Sequence, residues 1–231
     1  AEYQPTEYLY GQDERVLTQR ELEERIAQDK PPGVDRIASL KSVVMIQCVG
    51  SRDEKNPYCS RICCSTAVKN ALRLKKINPR IEIFIIYRDM RTYGFKEAYY
   101  TEARLAGVKF IRYEPDGKPN VSASEQGLRI SVIDPTLGST LNIECDLLVL
   151  SAATVPREDG GKLAQLLKVP LNVNGFFLEA HMKLRPIDFA TDGIFLCGLC
   201  HAPKLIDESI SQAIGCASRA TTVLAKDHIE L

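Results

Sequence analysis

Apolar residues in this chain fall into continuous runs of strand length that alternate with helical stripes between residues 42 and 113. Residues 42–50 (SVVMIQCVG) and 81–87 (IEIFIIY) are β-branched runs with little or no polar face, as strands covered on both sides require. Residues 108–113 (VKFIRY) predict a third strand. Between the first two, residues 60–76 set Ala67, Val68, Ala71, Leu72 and Leu74 in an apolar stripe that stops at Asn78-Pro79. Residues 96–106 predict a second helix, ended by Gly107. Strand, helix, strand, helix, strand is the order of parallel βαβ units. Residues 128–133 and 140–143, separated by Asp134-Pro135-Thr136-Leu137-Gly138, then predict a hairpin, and residues 145–151 a return to buried strand.

The flanks read differently. Upstream, Thr18 with Glu21 three residues later is a reciprocal cap, predicting a helix that Pro31-Pro32-Gly33 closes, within a connector over residues 1–40. Downstream, the expected elements are a helix over 162–167, a short strand over 175–178, a buried strand over 192–198 and a helix of small residues over 207–220. The fold class expected is α/β: a Rossmann-like three-layer βαβ domain over 41–151 and a different domain over 152–231. No internal repeat interrupts this order.

Composition narrows the function classes. The chain has 231 residues, 45% hydrophobic, with 30 basic and 30 acidic side chains in balance, so no basic field recommends nucleic acid or an anionic membrane. No run reaches the roughly 18 apolar residues of a membrane span, and AEYQPTEYLYG lacks the basic start of a signal peptide. A reducing, cytoplasmic setting is therefore expected, in which eight cysteines serve metal binding, redox work or burial rather than disulfides.

Four of those cysteines, Cys48, Cys59, Cys63 and Cys64, follow one strand in a C-x10-C-x3-C-C pattern. A strand-to-helix turn of a parallel sheet opens a crevice, and a helix N-terminus with Arg52, Lys55 and Arg61 nearby stabilises thiolates. If Cys59 and Cys63 share a helix face, Cys64 points aside. A cubane cluster accepts that divergence more easily than one tetrahedral ion does, and the paired C-x2-C hooks usual for zinc are absent. Zinc stays open as an alternative, as a non-catalytic docking module. Only Gly50 stands where a dinucleotide fingerprint needs three glycines, which argues against nicotinamide nucleotide binding here. Cys145 and Cys216 are expected to be small buried hydrophobes.

The segments Gln47-Cys48-Val49-Gly50-Ser51-Arg52, Tyr58-Cys59-Ser60-Arg61-Ile62-Cys63-Cys64, Asp89-Met90-Arg91-Thr92-Tyr93-Gly94 and residues 198–213 together resemble the A-subunit of heterodisulfide reductase. The resemblance runs over nearly the whole chain. It implies an iron-sulfur flavoprotein oxidoreductase with a core similar to thioredoxin reductase, so that residues 152–231 would be the C-terminal half of an FAD-binding domain. It implies a [4Fe-4S] cluster on Cys48, Cys59, Cys63 and Cys64, and FAD beside Gly193, Cys197, Gly198, Leu199, Cys200, Pro203, Lys204, Glu208 and Ser209. Flavoprotein reductases usually carry Gly-Asp where this chain has Gly198-Leu199. The glycine fingerprint of the family's N-terminal FAD half is absent from these residues, so a fragment or split subunit with an incomplete FAD site is expected. Partners implied are the other subunits of such a complex, with ferredoxin or hydrogenase-type electron donors. Arg91, Thr92, Tyr93 and Lys96 lie on the expected crevice side, and His201 in the expected ligand loop. Cys197 and Cys200 leave a further alternative, a flavin-dependent dithiol oxidoreductase.

Overall fold

The computed structural model describes residues 1–28, 35–124 and 127–225, which divide into two compact bodies. Glu2–Tyr58 with Cys63–Ala153 form the first; Ala1, Cys59–Ile62 and the chain from Thr154 onward form the second. The expected stop at Pro31-Pro32-Gly33 lies outside the described residues.

The first body is built on a parallel sheet. Its strands are β1 (Val16–Thr18), β2 (Ser42–Val49), β3 (Glu82–Tyr87), β4 (Lys109–Arg112) and β8 (Leu147–Ala152), in the order β1-β8-β2-β3-β4. Each pairing is parallel, with Val44 opposite Leu148 on one side and Phe84 on the other. Strand alternation sends the two halves of each apolar run to opposite layers. Val43, Met45, Ile83, Ile85, Leu147 and Val149 pack against α1 (Gln19–Gln28), α3 (Cys63–Ile77) and α4 (Glu97–Leu105), through Leu22, Ile26, Ala67, Val68, Ala71, Leu74 and Ala103. Val44, Ile46, Ile86, Leu148 and Leu150 pack against Leu128, Ile130, Val132 and Ile143. These last belong to an antiparallel meander of β5 (Asn120–Ser124), β6 (Gly127–Asp134) and β7 (Ser139–Cys145). Helices, parallel sheet and meander are the three layers. A short helix, α2 (Asp35–Ala38), precedes β2.

Two strands here escaped the hydrophobic pattern. β1 is only three residues long, too short to show a period, and β5 is a mostly exposed polar edge strand. The helix expected from residue 60 instead starts at Cys63, because Arg61 stands at φ +62, which no helix accommodates. Cys145 is buried in the meander layer, as expected of a small hydrophobe, and Asp146 fixes the turn into β8 by accepting the Lys41 and Ser42 amides at 2.6 and 3.0 Å.

In the second body, α5 (Gly160–Leu167) and α6 (Ile206–Leu224) flank a small core of Ala164, Val169, Phe189 and Leu196. The strands expected over 175–178 and 192–198 do not form. Each contributes a single isolated pairing, Leu171 with Phe177 and Asp188 with Phe195. The Asn172 side chain folds its segment into a turn by accepting the amides of Asn174 and Phe176, and Gly193 and Gly198, both at positive φ, bracket the other. No helix among the described residues is long and apolar enough to cross a membrane.

Gly50, just past β2, stands at φ +73, and a Cβ there would collide with the Tyr3 ring. Gly50→Ala is therefore expected to cost about 1–3 kcal/mol in chemical denaturation. Tyr3→Ala in the same background should return the steric part and leave the backbone part; full recovery would show that the left-handed conformation costs nothing.

Candidate functional site

β2 ends irregularly. Its register against β8 shifts between Ile46 and Val49, and Cys48 in that bulge has φ +63. The loop that follows closes on itself. The Arg52 amide donates to the carbonyls of Asn56 and Tyr58 at 2.7 and 3.1 Å, and the Asn56 side chain donates to the Gly50 carbonyl at 3.0 Å. Arg52 also holds φ +58, a second left-handed non-glycine residue.

Around this loop the first body gathers charge. Arg52 pairs with Asp89 at 2.7 Å and sets its charge beside Cys48, while its carbonyl accepts Arg88 at 2.7 Å. Cys63 and Cys64 occupy the first turn of α3, as the sequence predicts, and the Cys64 thiol faces the Asp89 carbonyl at 3.7 Å. A hydrogen bond from the neighbouring Cys63 brings the Cys64 thiol down to about 7 against the opposing effect of burial, helped by the Arg91 amide and the charges of Arg91 and Arg52. Of the other residues expected on the crevice side, Thr92 is buried, with its hydroxyl 3.4 Å from Glu97, and Arg91 leans toward Asp89 at 3.4 Å. Among the described residues, Gln47 (both side-chain polar atoms), Arg52 Nη1 and Arg88 Nε are buried without a hydrogen-bond partner.

Cys59 lies in the short segment assigned to the second body. It is not helical, so the expectation that it shares a helix face with Cys63 is corrected: the left-handed Arg61 intervenes. The Cys59 sulfur accepts the Arg61 amide at 3.3 Å. Arg61 in turn reaches the Pro203 carbonyl at 3.2 Å and Glu208 at 2.6 Å, and the other Glu208 oxygen takes the Leu205 amide at 2.8 Å, capping α6. Among the described residues no three Cys, His, Asp or Glu side chains converge as a cage for one metal ion.

The turn over 193–209 holds the remaining predicted residues. Cys197 is half-buried rather than core, and Leu199 and Cys200 are exposed. The Cys200 thiol donates to the Cys197 carbonyl at 2.9 Å, and partial desolvation raises its pKa. Cys216 is not buried as expected. It donates to the Leu196 carbonyl at 3.1 Å, and desolvation together with the contact of its thiol with Cys197 pushes it up to about 11. Ser209 spends its hydroxyl on the Leu205 carbonyl at 3.0 Å, and burial lowers the Lys204 pKa with help from Arg61.

Sequence reasoning missed a chain of polar contacts here. The Gly198 amide donates to Gln212 Oε1 at 3.0 Å, Gln212 Nε2 lies 3.0 Å from His201 Nδ1, and His201 Nε2 lies 2.9 Å from Glu179. Because the Gly198 N–H fixes the amide oxygen, Gln212 presents its NH₂ to Nδ1, which must accept; the ring proton sits on Nε2 and faces the carboxylate. Nothing local in the sequence links Glu179 or Gln212 to His201.

No protein-family profile matches the chain. Curated relatives do. The iron-sulfur A-subunit of the CoB–CoM heterodisulfide reductase of Methanocaldococcus jannaschii is 40% identical over 97% of this chain and 36% of its own length. The A-subunit of the H(2)/formate:CoB-CoM heterodisulfide,ferredoxin reductase of Methanococcus maripaludis is 38% identical over 97% of the chain and 35% of its own. Over nearly its whole length, then, the chain is similar to heterodisulfide reductase A-subunits. It spans about a third of the length of the curated relatives it matches. Among solved structures, a thioredoxin reductase from T. acidophilum aligns with TM-score 0.60 at 12% identity, over 98% of this chain and 64% of that one. An L-lysine 6-monooxygenase from Pseudomonas syringae aligns with TM-score 0.55 at 14% identity, over 97% and 62%. At such identities these two show the fold alone, and the thioredoxin-reductase-like core expected for a heterodisulfide reductase of this type is found.

The tautomer of His201 is open to direct measurement. Nitrogen-15 chemical shifts are expected to show the proton on Nε2. A proton on Nδ1 in the unaltered chain would refute the assignment.

Proposed function

We propose that this chain is the electron-transfer portion of a heterodisulfide-reductase-like iron-sulfur flavoprotein, an oxidoreductase, relaying electrons between FAD and a [4Fe-4S] cluster toward partner subunits. The observation that carries this reading is the chemistry of the donor set after β2. Cys48 lies beside the charge of the Arg52 guanidinium, and the Cys64 thiol, next to Cys63, is lowered to about 7 by adjacent donors and positive charge. That is an environment for thiolate ligands, in the segment that carries the family's cysteine pattern.

Cys48, Cys59, Cys63 and Cys64 would hold the cluster. When bound, the cluster and FAD supply one-electron and two-electron redox chemistry respectively. This chain's own residues bind and bias: Arg52, fixed by Asp89, sets positive charge beside the ligands, and the self-closed loop orients Cys48. Toward FAD the fit is partial. Leu199 and Lys204 remain available to a ring or phosphate, with Gly193, Cys197, Cys200 and Pro203 framing the turn. The Gly198 amide is already bound to Gln212, Ser209 to Leu205, and Glu208 places a carboxylate at the start of α6, where an anion would otherwise lie. No step is therefore assigned to flavin on this chain. The names of relatives support other heterodisulfide reductase subunits, and ferredoxin, as partners.

The alternatives are less well supported. A zinc clamp usually shows paired C-x2-C hooks, which the segment from Cys48 to Cys64 lacks. A dithiol reductase at Cys197 and Cys200 needs a lowered thiol pKa, and that of Cys200 is raised.

On protein purified without oxygen, about four irons and four acid-labile sulfides per chain are expected. Cys63→Ser should lose most of both while the far-ultraviolet circular dichroism persists. Zinc near one per chain without sulfide, or unaltered iron in Cys63→Ser, would overturn the ligand assignment.

A further inference from the structure

Arg52 is over-determined for a loop arginine. Its side chain is 17% exposed, and its Nη2 pairs at 2.7 Å with Asp89, whose backbone carbonyl faces the Cys64 sulfur at 3.7 Å; its charge is felt at both Cys48 and Cys64. Its backbone is held in a left-handed conformation by two amide bonds and by Arg88 on its carbonyl. Yet Nη1 is buried with no partner. A buried N–H of a charged group without an acceptor is costly, and here it sits in the same fork that Asp89 holds in place.

We infer that Arg52 is a positioning residue that raises the reduction potential of the cluster by placing its charge beside the ligand sulfurs, where the added electron would go. This rests on the cluster reading above. Reduction adds negative charge to the thiolate-bound group. A guanidinium held in place stabilises that state more than the oxidised one, and hydrogen bonds to the sulfurs act in the same direction. Asp89 both holds the guanidinium and offsets its charge. Arg91 also pairs with Asp89, at 3.4 Å, but is more exposed, so water screens it more strongly. Arg88 acts through the Arg52 carbonyl and fixes the backbone.

The test is a potentiometric titration of the cluster's electron paramagnetic resonance signal in the whole chain, with iron and sulfide counted in each sample. Arg52→Gln is expected to keep its iron and shift the midpoint to more negative potential. Arg52→Lys, which keeps the charge, should recover most of that shift, and Asp89→Asn, which frees the guanidinium from its counter-charge, should move the midpoint the other way. Full iron in Arg52→Gln with an unmoved midpoint overturns the inference and leaves the cluster reading intact. If Arg52→Gln loses its iron, Asp89→Asn decides: a positive shift supports the inference and no shift overturns it. No iron or sulfide in the unaltered chain overturns both.

Discussion

The pairing of β2 between β8 and β3 is the constraint on which the rest of the structure depends. A strand bonded on both edges and covered by apolar layers on both faces cannot bend until its last residues. The chain therefore turns at Cys48 and nowhere earlier. The bulge, two left-handed non-glycine residues and the charged pair of Arg52 with Asp89 all gather at that exit. The end of β3 supplies Arg88, Asp89 and Arg91 because parallel strands deliver their carboxyl ends to the same side.

Legibility in the sequence followed burial. The strands of the parallel sheet from β2 onward, the hairpin and α3 could be read because continuous apolar runs and helical stripes are what a two-faced sheet and its covering helices need. β1 could not be read from three residues, nor β5 from a polar edge. In the second body two apolar runs looked like strands, but an apolar run needs a neighbour to become one, and Asn172, Gly193 and Gly198 set local turns instead. The same limit hid the site's geometry. Cysteine spacing pointed to the thiols, whereas the left-handed Arg61 that keeps Cys59 off the helix, and the polar chain from Gly198 to Glu179, rest on contacts between distant residues.

The cysteines outside the proposed ligand set show how environment rather than residue type decides chemistry. Cys145 is buried, and desolvation chiefly pushes its thiol up to about 12; Cys216 is only half-buried, yet desolvation and its contact with Cys197 put it at about 11. Cys64 is as deeply buried as Cys145 but has hydrogen-bond donors and arginines around it, and lies near 7. The difference between a raised and a lowered thiol in this chain comes from donors and charge, not from exposure.

The loop after β2 has one more consequence, for assembly. Its left-handed residues are held by bonds internal to the polypeptide: the Arg52 amide on two carbonyls, the Asn56 side chain on Gly50, the Asn56 amide on Asp53. Cys48 is thus presented by a loop whose shape is written into its own backbone and side chains. Were the proposed cluster built there, the pace of its assembly would follow the supply of inorganic components rather than the rate at which this loop finds its shape.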